Sequence, residues 1–184
     1  MHQFPRVILT LTLLIVSASY SQKKAVEAKS INEKITINGE LDENIWNTAK
    51  VATDFVMLEP DNGVLIAPEK KTDVRILYDN EAIYVAALLY DNQPDLILKE
   101  MTQRDNFGTA DHFGVYINGF NDGQQDFRFY VSAAGVQMDC LATEASEDYS
   151  WDAIWSSSVN ITEFGWVVEM RIPYAALRFS KEDK

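Results

Sequence analysis

Along most of the chain, apolar and polar residues alternate with a period of two, the pattern of strands with one buried face. The runs are 33–38 (EKITIN), 73–79 (DVRILYD), 82–91 (AIYVAALLYD), 112–119 (HFGVYING), 126–133 (DFRFYVSA), 136–143 (VQMDCLAT) and 165–173 (GWVVEMRIP), all rich in β-branched and aromatic residues. In the last of them the pleat sets Trp166, Val168, Met170 and Ile172 on one face and Val167, Glu169 and Arg171 on the other. Trp155 opens a further strand, WSSSVNI. Short turn-forming stretches (YDNEAIY, NGFNDGQ, AAG, NITEFGW) join consecutive runs, which predicts antiparallel meanders. Helical spacing is confined to 42–49 (DENIWNTA), where Asp42 can cap and Trp46 shares the apolar side with Leu41, Ile45 and Ala49, and to brief turns near PDLILKEM and PYAAL. Many strands at about ten-residue spacing with few helical turns predict an all-β fold, an antiparallel β-sandwich.

The first 21 residues break this pattern. His2 and Arg6 precede the apolar run VILTLTLLIV and the small residues SASYS, the layout of a secretory signal peptide. The run is too short to cross a bilayer, which takes about 20 apolar residues. Cleavage is expected after Ser21, with 22–30 a polar lead-in and 31–184 the sandwich, and no cysteine near the cleavage site can accept a lipid. The chain is therefore expected to be exported, to the periplasm, the cell surface or the medium. At 184 residues and 47% hydrophobic, it has material for one substantial core.

Charge narrows the partners. The chain carries a formal −12, and removal of 1–21 takes away Arg6 and no acid. That sign repels a phosphate backbone, so nucleic acid is excluded as a partner. The acids either keep a surface solvated or supply loops that hold structural calcium; YDNE, NGFNDGQ and SEDYSWD concentrate hard oxygen donors in turns, though none has the spacing of a calcium loop. Cys140 is the only cysteine, so no internal disulfide is possible, and its alternation with Val136 and Met138 marks it as a small buried hydrophobe.

Candidate chemistry gathers in SEDYSWDAIWSSSVN. Trp151 sits there among Ser and Asp, either as an exposed platform on which a sugar ring can stack or as a plug folded over the sandwich end. Sugar hydroxyls also want planar charged groups, and Arg104 with Asp105 is the leading pair, followed by Arg128. Catalysis finds little support. Pairs drawn from Asp105, Asp111, Asp139 and Glu144 are expected by chance among 28 acids. One histidine outside the signal segment and one cysteine cannot build a zinc site or a nucleophilic triad.

Four stretches together, ITINGELDENIWNTA, VRILYDNEAIYVAALLYDNQP, RDNFGTADHFGVYINGFNDGQQDFRFYVSAAGVQMD and WDAIW through GWVVEMRIPYAALRFS, resemble the family 9 carbohydrate-binding modules. More narrowly, they resemble the version at the N-terminus of large exported bacterial proteins, ahead of a domain of unknown function. The resemblance implies a non-catalytic module serving carbohydrate catabolism, with poly- or oligosaccharide and the C-terminal domain of a longer parent as partners. It also implies a further strand after IPYAALRFS. Modules of this family clamp a sugar between two tryptophans; here NQPDLILKE has no aromatic residue, which leaves Tyr78, Tyr90 or Tyr149 to partner Trp151. The expected carbohydrate-binding residues are thus Trp151, Arg104, Asp105, Arg128 and Tyr149. The other function class left open is a structural or protein-interaction sandwich that has lost sugar binding.

Overall fold

A computed structural model of the chain describes residues 24–180, so the signal segment expected at 1–21 lies outside the described residues. Strands β1 (Lys29–Ser30), β2 (Val51–Ala52), β3 (Thr72–Tyr78), β4 (Ala82–Tyr90), β9 (Ser156–Thr162) and β10 (Gly165–Pro173) form a six-stranded sheet. Strands β5 (His112–Ile117), β6 (Gln125–Ser132), β7 (Gln137–Thr143) and β8 (Glu147–Asp148) form a four-stranded one, in sequence order. The large sheet runs β1-β3-β4-β10-β9, with β2 also on the β3 edge. All pairs are antiparallel except β1 with β3, where Lys29 and Ser30 from the expected lead-in lie beside Leu77 and Tyr78. The described residues contain no helix long and apolar enough to cross a membrane.

The predicted alternation builds the core between the sheets. Trp166, Val168, Met170 and Ile172 of β10 and Val85 and Ala87 of β4 face Phe127, Phe129 and Val131 of β6, all buried. Cross-strand register sets these rows: Met170 lies opposite Val85 and Val168 opposite Ala87. Trp155 joins this cluster. Helical geometry is limited to short 3-10 turns, Asn44–Thr48, Pro68–Lys70, Pro94–Leu96 and Tyr174–Ala176.

The other face of the large sheet is covered too. Leu77, Tyr84 and Ala86 pack under Ile31, Trp46 and Ala49, with Ile35 and Ile37 at the margin. Residues 33–38, expected as a strand, lie across this face without pairing, because their backbone donors find side chains: Thr36 N–H donates to Glu43 Oε1 at 2.8 Å and Asn38 N–H to Glu169 Oε2 at 2.9 Å. The period of two therefore reports the burial of Ile35 and Ile37, not a ladder.

The outer face of the four-stranded sheet positions the site. Register aligns His112, Gly114 and Tyr116 of β5 with Ser132, Tyr130 and Arg128 of β6. Arg128 and Tyr130 in turn lie opposite Cys140 and Met138 of β7. Tyr130, Met138, Cys140 and Ala142 are buried there beneath Phe107 and Tyr149.

Candidate functional site

Two separate groups of side chains contain the residues singled out from sequence. Arg128 and Tyr149 share the outer face of the four-stranded sheet, together with Tyr116, Tyr130, Phe107, His112 and Glu147. Arg104, Asp105 and Trp151 lie elsewhere, at the end of the sandwich.

On the outer face, the Arg128 guanidinium packs 4.7 Å from the centre of the Tyr116 ring, which is 57% exposed. Two carboxylates flank it: Arg128 Nη1 donates to Glu147 Oε1, and Nη2 donates to Asp126 Oδ2 at 3.4 Å. Tyr149 O–H donates to the other Glu147 oxygen at 2.7 Å, and Tyr130 O–H donates to the Tyr116 hydroxyl at 3.1 Å. Phe107 meets His112, Tyr130 and Tyr149 edge to face, with centroids 5.0, 5.2 and 5.9 Å apart. Burial, reinforced by the bond to Tyr116, pushes the Tyr130 hydroxyl well above the usual phenol range, and burial with the bond to Glu147 does the same for Tyr149. Both hydroxyls therefore stay protonated and keep a donor. The buried Cys140 thiol behind them is pushed up by burial as well.

This layout depends on Gly114. A Cβ at that position would lie 2.7 Å from the Tyr130 ring and 3.3 Å from the Tyr116 ring. Its absence lets the two tyrosines close over β5.

At the sandwich end, Asp105 adopts φ +63°, a left-handed conformation that Asp tolerates better than most residues. From there its Oδ1 accepts the Asp139 N–H at 3.1 Å. Arg104 donates Nε to Asp152 Oδ1 at 3.1 Å, Nη1 to Gln137 Oε1 at 2.6 Å, and Nη2 to Asp139 Oδ2 at 2.5 Å and to the Ala153 carbonyl at 3.1 Å. The fork expected to bridge sugar hydroxyls is thus engaged with two segments of the protein itself, β7 and the loop at 152–153. Asp139 is fully buried and also accepts the Trp155 indole N–H at 2.7 Å; burial raises its carboxyl, with Trp155 and Arg104 pulling it back down. Trp151 is half-buried, its ring 5.4 Å from Phe127 and 5.9 Å from Phe129. It lines a hollow of about 510 Å³ with Ile154, Ala176 and Leu177, whereas Arg104 lines a different one beside Gly135 and Ser157. Tyr78 and Tyr90 sit on β3 and β4 of the large sheet, and Tyr90 lines a further hollow with His112 and Trp166, away from Trp151.

Tyr116, Tyr130, Phe107 and Glu147 escaped the sequence reading. The signal for Tyr116 and Tyr130 lay in the alternate positions of HFGVYI and DFRFYV, which become one face only when the β5–β6 register is known, whereas Phe107 lies in a loop and Glu147 in the two-residue β8, with no such pattern.

With this geometry in place, comparison with known proteins decides the family. The profile of the carbohydrate family 9 binding domain-like family matches residues 37–184. The chain belongs to that family. Two solved structures share its fold, both family 9 carbohydrate-binding modules from Caldicellulosiruptor kristjanssonii, one in complex with cellotriose and one with glucose. The first is 18% identical with a TM-score of 0.56, over 85% of this chain and 69% of that one. The second is 17% identical with a TM-score of 0.55, over 85% and 70%. No curated protein matches the sequence. Family membership thus agrees with the resemblance read from the four sequence stretches, and the fold with the expected sandwich.

Proposed function

We propose that this module binds carbohydrate without catalysis, and that it does so on the outer face of its four-stranded sheet. The observation that carries the reading is the Tyr116 ring, exposed and flat, beside a guanidinium held between two carboxylates. A pyranose presents C–H bonds on one face and hydroxyls around its rim; the ring takes the first, and Arg128, Glu147 and the Tyr149 hydroxyl take the second. Phe107 and His112 shape the margin. Poly- or oligosaccharide is the partner, in an exported protein serving carbohydrate catabolism, with the module carried by a longer parent. Family membership and the sugar-bound relatives support the ligand class.

Affinity electrophoresis through gels containing soluble polysaccharides, followed by calorimetry with cellotriose and glucose, tests this. Tyr116→Ala removes the platform and is expected to cost about 1.4 kcal/mol of binding, a tenfold loss. Equal affinity in the variant would remove the outer face from the account. Retarded migration of neither protein on any polysaccharide would favour a protein-interaction sandwich.

The hollow beside Trp151 supports a second reading, since about 510 Å³ is within the usual size of a small-molecule site. There Trp151 would be the platform and Arg104 with Asp105 would hold the loop from behind.

A further inference from the structure

One apolar surface belongs neither to the core nor to the proposed sugar face. Shortly after β2, residues 55–66 fold into a hairpin. Ile66 N–H donates to the Phe55 carbonyl at 3.2 Å, Met57 N–H to the Val64 carbonyl at 2.8 Å and Gly63 N–H to the Met57 carbonyl at 2.9 Å, with Val56 opposite Leu65. The pleat sets Phe55, Met57, Val64 and Ile66 on one side and Val56, Leu58 and Leu65 on the other. Met57 and Ile66 are half-buried, whereas Val56, Leu58 and Leu65 are all exposed, Leu58 by 77% and Leu65 by 61%. Phe55, Val64 and the nearby Val51 are exposed as well.

Together these side chains leave on the order of 500 Å² of apolar surface in water, as much as the largest patch on a typical monomer, which is often functional. A two-stranded hairpin is marginal in water by itself, so a cover on this side stabilises it. At its base, Val26, Val51, Ala52, Phe55 and Val56 line a hollow of about 660 Å³ together with Lys24, whose ammonium donates to the Asp54 carbonyl. Among the described residues, Lys24 has no carboxylate partner, and Glu59 and Asp61 at the hairpin tip have no cationic one.

The hairpin thus presents an apolar knob flanked by acids at its tip and an apolar hollow with a cation at its base. A two-fold axis near the Val56–Leu65 pair turns each onto the other. With a strand rise of about 3.3 Å per residue, the tip extends about 10 Å beyond Val56, enough to lie over the base of a second copy. Such pairing covers about 1,000 Å² over the two copies, the size at which a specific interface begins. A lipid surface fits less well, since Glu59 and Asp61 would have to leave water along with Leu58.

We propose that residues 55–66 form the interface of a two-fold homodimer, with Leu58 of each copy seated over the hollow of the other and Glu59 and Asp61 beside the partner subunit's Lys24. No side chain of the sugar face takes part, so the interface stands or falls independently of the sugar reading.

Sedimentation velocity on the purified protein, its N-terminus determined by mass spectrometry, tests this. The expected result is a mass of two chains at about 100 μM that falls toward one on dilution, as suits an interface of this size. Leu58→Glu places a charge in the hollow and should weaken the dimer roughly thirtyfold or more. Its side chain is exposed, so the circular dichroism spectrum should match that of the wild type. Val56→Cys, close to the axis, should crosslink to its own copy under mild oxidant, since Cys140, the other thiol, is buried. A monomer at every concentration would overturn the proposal, whether residues ahead of Lys24, neutral phosphatidylcholine vesicles or another protein cover the hairpin. So would a dimer that Leu58→Glu leaves intact, or growth to open-ended oligomers.

Discussion

Replacing Glu169 with Gln tests how the N-terminal arm is held to the large sheet. Glu169 points away from the central core yet is fully buried, and it gathers three donors from the arm. Oε2 accepts the N–H of Asn38 at 2.9 Å and of Gly39 at 2.8 Å, and Oε1 accepts the Trp46 indole N–H at 3.1 Å. Gly39 reaches this position at φ +85°, against the Val159 backbone. Gln has the same shape but one oxygen, so its NH2 group must confront either two backbone amides or the indole. Facing the indole leaves the fewest buried donors unpaired, and one such donor costs about 1–3 kcal/mol. The weaker neutral acceptor for the amides adds to this, which places the total at about 2–3 kcal/mol. In a domain of this size that lowers the melting temperature by roughly 4–12 °C. Burial, with Glu43 nearby, raises the Glu169 carboxyl above its ordinary value of 4.5, although the Asn38 and Gly39 amides and Trp46 pull it down. The folded state therefore binds the proton more readily than the unfolded one. The group's contribution is largest at and below the ordinary carboxylate range and declines as pH rises through the raised value. The gap between wild type and Glu169→Gln should thus widen as pH is lowered from neutrality toward 4.5. Thermal melts by circular dichroism across that range read both effects. A variant that melts within about 1 °C of wild type at every pH would refute the claim that this carboxylate anchors the arm.

Two further substitutions probe the site and the sandwich end. Trp151→Ala is expected to lower stability by about 1.5–3 kcal/mol, less than for a fully buried Trp, because the ring packs on Phe127 and Phe129 but is only half covered. Sugar affinity should stay within twofold; loss of binding at unchanged stability would instead favour the hollow beside Trp151 as the sugar site. Gly114→Ala puts a Cβ 2.7 Å from the buried Tyr130 ring, so it should cost about 1–3 kcal/mol in melting experiments and displace Tyr116 enough to weaken binding. Unchanged stability together with unchanged affinity would show that the two tyrosine rings are free to move apart.

The sandwich was legible because burial follows the period of two so closely in strands such as β10, where Trp166, Val168, Met170 and Ile172 all reach the core. The same rule misassigned 33–38, since Ile35 and Ile37 alternate for burial while their backbone bonds to distant side chains. Nothing local announces that Glu169, more than 120 residues away, accepts from Asn38 and Trp46. Residue chemistry alone placed Arg128, Tyr149 and Arg104 in one candidate set. It could not show that they fall into two groups, because the partners of Arg104 lie 33 to 49 residues further along the chain. Tyr116 went unnoticed for a related reason: an exposed tyrosine in an edge strand gains meaning only from its register with Arg128.

The most direct test of the proposed sugar-binding face is an amide chemical-shift titration of the assigned protein with cellotriose. The largest changes should map to Phe107, to His112 through Tyr116, to Arg128 and to Glu147 through Tyr149. Changes confined to Trp151 through Ile154 and Ala175 through Arg178, with the outer face silent, would contradict it.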